Sequence, residues 1–143
     1  MAARIAEATW EGTLNEGTGS MKVGSGAFDG PFTFKSRFDE GQQAMTNPEE
    51  LLGAAHAGCF TMALGARLGR AGFNVKRIHT TAHVHLEKGE SGFSVSKIDL
   101  VTEGEVEGLD QAAFAENAEE AKKTCIVSRA LSAVPMTVQA TLK

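Results

Sequence analysis

The sequence predicts an α+β protein with antiparallel sheets, and two observations point to this class. Segments with the two-residue alternation of strands lie near both ends of the chain, and a hairpin pattern lies between two helical patterns. The predicted order is therefore strands, helix, hairpin, helix, strand. Helices and strands do not alternate regularly, as they do in parallel α/β folds, so we expect antiparallel pairing.

The first third of the chain predicts short strands. Residues 5–10 and 32–38 are the two strand candidates, and the second places its three phenylalanines on one face and Arg37 on the other. The segment 12–30 between them is polar and rich in glycine, which is typical of turns that join short strands.

The first helix has a clear start. Asn47 can cap the backbone, Pro48 suits the first helical position and Glu50 the third. We expect the helix to end at Gly72. Residues 51–66 are apolar or small on every side, which predicts a helix buried all round. So much burial in a small domain indicates that a second subunit supplies part of the cover.

A β-hairpin is predicted from residues 75–87 and 93–102, with inward side chains at alternate positions of the first strand. The apolar positions of the second strand change phase, which predicts a bulge near Ser96 or Lys97. A second helix should begin near Asp110, and it carries one apolar stripe. The stripe consists of Phe114, Ala118, Ala121 and Cys125. Residues 136–142 alternate without error and predict the last strand.

The composition favours a soluble, cytoplasmic protein with a single domain over residues 1–143. The chain is 42% hydrophobic and 22% charged, which is ordinary for a globular domain. Its net charge of −4 argues against a nucleic-acid partner. The longest uncharged stretch is shorter than the ~20 residues that span a bilayer, and the N-terminal residues resemble no signal peptide, so we expect no membrane association.

The two cysteines have two interpretations that the residues alone leave open. Cys59 and Cys125 can be small buried hydrophobic residues. They can also be a peroxidatic and a resolving cysteine, since a thiolate attacks the O–O bond of a peroxide and a second thiol captures the sulfenic acid. Arg37 is either an exposed strand residue or the cation beside that thiolate. Glu49 lies in the first helical turn, where acidic residues favour the helix dipole.

A resemblance decides between these interpretations. The run TNPEELLGAAHAGCFTMAL at residues 46–64 closely resembles the signature of the OsmC/Ohr family, the osmotically inducible protein C and organic hydroperoxide resistance proteins. Shorter matches extend the likeness over most of the chain. They are WEG at residues 10–12, TTA at 80–82, GF at 92–93 and AKKTCIVS at 121–128.

The resemblance implies a dithiol peroxidase that acts on organic hydroperoxides and needs no cofactor. By position, Cys59 matches the reactive cysteine of the family and Cys125 the resolving cysteine. Arg37 matches its arginine, at a position typical of the OsmC branch, and Glu49 the glutamate that orients the arginine. The family also implies an intertwined homodimer in which shared sheets wrap the central helices, and an external dithiol reductant, for which a lipoyl group is suggested.

One position departs from the family pattern. Proline commonly follows the second cysteine, whereas this chain has Ile126. Proline would stop the helix there, so with isoleucine we expect that the helix can continue.

The subunit that supplies Glu49 follows from helix geometry. Glu49 and Cys59 are ten residues apart, which is about 15 Å along one helix. If both act in one site, either the helix breaks near Gly53 or Glu49 comes from a second chain, and we favour the second chain.

Two other functions remain open. The same cysteine pair would serve a non-enzymatic redox sensor. His79, His83 and His85 share one strand face and offer a zinc site, but we favour a solvated polar face because no acidic ligand is evident beside them. His56, on the apolar helix, is interpreted as a satisfied core histidine.

Overall fold

The computed structural model describes residues 3–38 and 44–143, and its contacts divide the chain into two compact units. The first unit is Met1–Leu51 and the second is Leu52–Lys143. Each unit contains one three-stranded sheet. The single-domain interpretation of the sequence stays a prediction.

The sheet of the first unit is antiparallel. It consists of β1 (Ala6–Glu11), β2 (Thr18–Val23) and β3 (Asp29–Phe32), in that spatial order. The predicted strand over residues 5–10 is therefore confirmed within one residue. The glycine-rich segment that follows contains a second strand as well as turns.

The strand predicted over residues 32–38 is wrong beyond Phe32. A single 3₁₀ turn, Lys35–Arg37, takes its place. The backbone N–H of Thr33 donates to the hydroxyl of Ser36 at 3.1 Å, and the N–H of Ser36 donates to the hydroxyl of Thr33 at the same distance. These local bonds give the backbone an alternative to pairing in a sheet.

The first helix, α1 (Pro48–Arg70), begins and ends as predicted. The side-chain oxygen of Asn47 accepts a hydrogen bond of 2.7 Å from the N–H of Glu50. Gly72 follows the helix with a φ of +90°, a conformation that glycine adopts without strain. The helix passes through Gly53 without a break.

Only one side of α1 is buried, so the prediction of burial all round is wrong for the single chain. A stripe at spacings of three and four is buried, and it consists of Gly53, His56, Phe60, Leu64 and Leu68. The opposite side is exposed, and Met62 on it is 76% exposed. The rest of the described chain packs against only this one side of α1.

The second unit holds a mixed sheet. The hairpin strands β4 (Asn74–Gly89) and β5 (Gly92–Glu107) pair antiparallel over a longer range than predicted. His85 pairs with Lys97 and Leu86 with Val95, so Ser96 is the extra residue of the predicted bulge. The last strand, β6 (Met136–Leu142), pairs parallel with β5.

The α+β class is confirmed, while the purely antiparallel arrangement is not. A parallel neighbour needs a crossover connection. Two helices, α2 (Gln111–Thr124) and α3 (Ile126–Ala130), form that connection between β5 and β6. The carboxylate of Asp110 caps α2 by accepting a hydrogen bond from the N–H of Ala113 at 2.8 Å.

The helix α2 ends before Cys125, so the expected continuation through Ile126 is wrong. Cys125 has φ −56° and ψ 128°, which is not helical, and α3 begins after it. The predicted stripe of α2 is confirmed as buried. Its ring at Phe114 lies over Gly104 of β5, where an added Cβ would be 2.5 Å from the ring.

By length and composition alone, α1 could cross a membrane. Its Phe60, Leu64 and Leu68 nevertheless belong to the same buried cluster as Ile98 and Phe114. We therefore interpret α1 as a core helix of the second unit.

Candidate thiol site

Cys59 lies midway along α1 and is half-buried. Burial alone raises the pKa of its thiol. Hydrogen bonds from the backbone N–H of Val127, the thiol of Cys125 and the backbone N–H of Ile126 outweigh burial, and the pKa of Cys59 lies below its usual value. A lower pKa increases the thiolate fraction, and the thiolate is the nucleophile.

Cys125 lies at the junction of α2 and α3 and is 1% exposed. Burial raises the pKa of its thiol, although the backbone N–H and the hydroxyl of Ser128 both hydrogen-bond to its sulfur and oppose the rise. The neighbouring Cys59 raises the pKa of Cys125 further, since two adjacent thiolates repel each other.

The structure thus brings the two predicted cysteines together. Both are free thiols, and the interaction between their side chains lowers the pKa of Cys59 and raises that of Cys125. Their pKa values shift in opposite directions. Such a pair suits one thiol to attack as a thiolate while the other stays protonated until it is needed.

Ser128 was not predicted as a site residue, and it interacts with both Cys125 and a buried histidine. Its hydroxyl lies 2.7 Å from Nε2 of His56, and both residues are buried. The interpretation of His56 as satisfied is wrong for one nitrogen, because Nδ1 is buried and has no hydrogen-bond partner among the described residues. Burial lowers the pKa of His56. The only signal for Ser128 was its place three residues after Cys125.

Arg37 and Glu49 are paired in the first unit. Nε of Arg37 donates to both carboxylate oxygens of Glu49, at 3.1 and 3.2 Å, and a second guanidinium nitrogen also donates to the carboxylate. The hydrogen bond to Glu49 raises the pKa of Arg37. The glutamate is more buried than the arginine, so it fixes the orientation of the guanidinium group.

Short contacts hold the segment that carries this pair. The side-chain amide of Asn47 donates to the backbone oxygen of Ser36 at 2.9 Å, which ties the 3₁₀ turn to the start of α1. Phe34 and Phe38 flank the turn with their rings 5.2 Å apart. Arg37 is therefore presented from a short turn that is tied to the start of α1.

A hydrogen bond joins the histidine face of β4 to an acidic residue of β5. His79 and His83 are exposed, and Nε2 of His85 lies 2.8 Å from a carboxylate oxygen of Asp99 on β5. The expectation that no acidic group lies beside these histidines is thus wrong. The hydroxyl of Thr137 donates to Asp99 and contributes most to lowering its pKa, followed by His85. Over residues 3–38 and 44–143, no group of three or more metal-binding side chains is found.

Comparison with known proteins relates this chain to one family. The family model of OsmC-like proteins matches residues 41–139. Peroxiredoxin OsmC of Escherichia coli K12 is 46% identical over 128 residues, which are 89% of this chain and 88% of that protein.

Solved structures show the same fold. An organic hydroperoxide resistance protein OsmC from Legionella pneumophila aligns with a TM-score of 0.70 at 22% identity, over 100% of this chain and 99% of that one. The organic hydroperoxide resistance protein OhrB of Bacillus subtilis aligns with a TM-score of 0.68 at 26% identity, over 97% and 98%. With the family model matching well over half of its length, the chain belongs to the OsmC family.

Proposed function

We propose that this protein is a thiol-dependent peroxidase that reduces organic hydroperoxides to alcohols. The observation that carries the proposal is the contact between two free thiols whose pKa values shift in opposite directions. The E. coli relative is named a peroxiredoxin, and the Legionella and Bacillus proteins are named organic hydroperoxide resistance proteins. These names support a peroxide substrate and a reductant.

The reaction divides between the two cysteines. The Cys59 thiolate attacks the terminal peroxide oxygen, the O–O bond breaks, the alcohol leaves after taking up a proton, and Cys59 becomes a sulfenic acid. Cys125 condenses with the sulfenic acid to form a disulfide and water. An external dithiol, for which the family resemblance suggests a lipoyl group, then reduces the disulfide, and no metal or organic cofactor takes part.

Arg37 and Glu49 are assigned to the same site on the strength of the family resemblance. The guanidinium group stabilises the Cys59 thiolate by charge and hydrogen bonds, and Glu49 orients the guanidinium group. The bidentate pair between Arg37 and Glu49 supports this division of roles. The phenylalanines beside Arg37 favour an organic substituent over hydrogen peroxide.

The proposed assembly is a cytoplasmic homodimer in which Glu49 acts on the Cys59 of the other subunit. Because α1 is continuous, a broken helix does not bring Glu49 to the thiol of its own chain. Small residues on α1 would let two such helices cross closely. They are Ala54, Ala57 and Gly58, whereas Gly53 packs against Val84 of its own chain.

Heterodimers test the shared site. Co-expressed Glu49→Ala and Cys59→Ser subunits, purified through two different tags, place one intact Cys59 beside one intact Glu49 only if Glu49 acts across the interface. We expect about half of the wild-type peroxidase rate in the heterodimer and little in either mutant homodimer. A heterodimer no more active than the homodimers contradicts the arrangement.

Matched cysteine variants test the function itself. Cys59→Ser should abolish turnover of cumene hydroperoxide with a dithiol, because no thiolate remains to attack. Cys125→Ser should complete one oxidation and then stall, with sulfinic acid accumulating at Cys59 in the intact mass. If the wild type forms the disulfide yet shows no steady turnover, the redox-sensor function replaces the peroxidase. Undiminished turnover by Cys125→Ser removes Cys125 from the mechanism.

A further inference from the structure

A continuous array of polar side chains leads from the thiol pair to a buried imidazole. The sulfur of Cys125 contacts the thiol of Cys59 on one side and the hydroxyl of Ser128 on the other. The same hydroxyl lies 2.7 Å from Nε2 of His56. His56 is 0% exposed and Ser128 5%, so the array lies inside the second unit.

Formation of the disulfide between Cys125 and Cys59 requires a group that accepts the thiol proton of Cys125. Cys125 must lose the proton of its thiol as its sulfur attacks the sulfenic acid, because a thiolate and not a thiol is the nucleophile. Its burial raises the pKa of the thiol and separates the sulfur from bulk water. A proton acceptor in the array would therefore favour this step.

We propose that Ser128 passes the proton of Cys125 to His56 while Cys125 attacks the sulfenic acid at Cys59. The inference rests on the proposed peroxidase function and assigns its second step. Ser128 touches a reacting sulfur, and His56 acts through Ser128 as a positioning residue and proton acceptor.

The atoms and electrons of the step balance. The sulfur of Cys125 contributes the electron pair of the new S–S bond and is oxidised, while the sulfenic sulfur of Cys59 is reduced. The S–O bond breaks and hydroxide leaves with its electron pair. In this step the Ser128 hydroxyl, which donates to Cys125 in the resting dithiol, turns to His56, so the thiol proton moves to Oγ of Ser128 as the hydroxyl proton moves to Nε2 of His56. Hydroxide takes a proton from solvent at the half-exposed side of Cys59, and the imidazolium releases its proton to solvent, so the net product is water.

The surroundings of His56 suit transient acceptance of a proton. Burial lowers the pKa of His56, which keeps the imidazole neutral and able to accept. In the accepting tautomer the ring proton sits on Nδ1, which has no partner among the described residues. An unpaired buried N–H makes the charged ring costly, so the proton is released again after the step.

The competing explanation is structural, with the Ser128–His56 bond only joining α3 to α1. Single-turnover experiments on the full-length protein separate the two. The Cys59 sulfenic acid is generated with one equivalent of cumene hydroperoxide without reductant, and its decay to disulfide is followed by quenched-flow mass spectrometry. The variants are Ser128→Ala, the conservative Ser128→Thr, and His56→Gln, which keeps a hydrogen-bonding side chain but accepts no proton.

We expect Ser128→Ala and His56→Gln to slow disulfide formation about tenfold to a hundredfold, the scale of general-base catalysis. The rate of disulfide formation should fall far more than the rate of the first oxidation of Cys59. Ser128→Thr should restore the rate of disulfide formation. In both slow variants the rate should rise about tenfold per pH unit below the pKa of Cys125, since hydroxide in solvent must then remove the proton.

Three outcomes overturn the proposal. Disulfide formation in Ser128→Ala and His56→Gln with the wild-type rate and pH profile removes the relay. An equal loss in both oxidation steps, with the wild-type pH profile, shows a structural tie only. A wild type whose Cys59 is not oxidised by hydroperoxide overturns the peroxidase function and the relay with it, whereas normal wild-type turnover with unaffected variants overturns the relay alone.

Discussion

The middle of α1 and the junction between α2 and α3 each present one thiol, and the two thiols contact each other. Burial raises the pKa of both. At Cys59, two backbone N–H groups and the neighbouring thiol reverse that effect. At Cys125, which is more deeply buried, the two donors of Ser128 do not. The hydrogen-bond donors that face each sulfur, rather than burial alone, therefore determine the difference between the pKa values of the two thiols.

One break in the chain supplies the backbone donors of both thiols. Because α2 ends at Thr124 and α3 begins at Ile126, the first N–H groups of α3 have no partner within a helix. Those of Ile126 and Val127 donate to Cys59, and that of Ser128 donates to Cys125. A helix that continued through Cys125 would use these N–H groups internally. The interruption between α2 and α3 therefore leaves backbone N–H groups free to donate to both sulfurs.

Removal of Arg37 should have the largest effect and narrow the difference between the pKa values of the two thiols, since it removes a full charge. In Arg37→Ala we expect the pKa of Cys59 to rise and its oxidation at about pH 7 to slow at least tenfold, because a cation favours the thiolate. Arg37→Lys should recover little, since lysine lacks the planar group that binds a carboxylate and a thiolate together. The pH profile of Cys59 alkylation measures the effect.

Lys35→Ala is the matched control, since it removes an exposed positive charge from the same 3₁₀ turn. It should leave the alkylation profile of Cys59 close to that of the wild type. An Arg37→Ala profile that coincides with the Lys35→Ala profile contradicts the role of Arg37.

The sequence predicted the elements whose ends depend on local chemistry. The cap at Asn47 and the stop at Gly72 follow from single residues, and both are confirmed. The prediction of a strand over residues 32–38 was wrong because reciprocal hydrogen bonds between Thr33 and Ser36 form a turn there. The alternation of apolar and polar residues alone does not reveal such local bonds. The parallel pairing of β6 depends on contacts far apart in sequence, which no local pattern encodes.

In the candidate site, too, some features could be predicted from the sequence and others could not. The resemblance selected the cysteines and the charged pair, and the structure brings Cys59 to Cys125 and Arg37 to Glu49. The break at Cys125 and the role of Ser128 could not be predicted, because sulfur contacts with backbone N–H groups leave no periodic signal.

Substitution of Ile126 by proline tests the contribution of a single backbone N–H donor to the pKa of Cys59. The side chain of Ile126 is 75% exposed, and its position opens α3, where proline is well tolerated. Cys125 already has the extended ψ that a following proline requires. Ile126→Pro thus removes an N–H from Cys59 and little else. We expect the pKa of Cys59 to rise and its alkylation rate at about pH 7 to fall about threefold, consistent with one modest hydrogen bond.

Ile126→Ala is the control because it shortens the same exposed side chain and keeps the N–H. Its alkylation profile should match that of the wild type, and the melting temperatures of both variants should stay close to it. Equal profiles for the proline and alanine variants would show that the Ile126 N–H does not stabilise the thiolate.

The smallest expected effect is the opposite influence of the two thiols on stability as pH changes. The folded pKa of Cys59 lies below its unfolded value, so its contribution is full above the unfolded pKa and is lost as pH falls through the folded pKa. The folded pKa of Cys125 lies above its unfolded value, so its contribution is full below the unfolded pKa and is lost as pH rises through the folded pKa. In the wild type the two trends oppose each other near the ordinary thiol pKa of about 8.5.

Single variants should separate these trends. Cys59→Ser keeps only the Cys125 trend, so its free energy of unfolding should fall more steeply than that of the wild type as pH rises through the alkaline range. Cys125→Ser should show the reverse, because backbone N–H groups still stabilise the Cys59 thiolate. The two differences from the wild type should have opposite signs. Urea unfolding under reducing conditions measures them, and the absence of tyrosine removes one competing alkaline titration. Parallel pH dependences in the two variants would show that both thiols have the same surroundings in the folded chain.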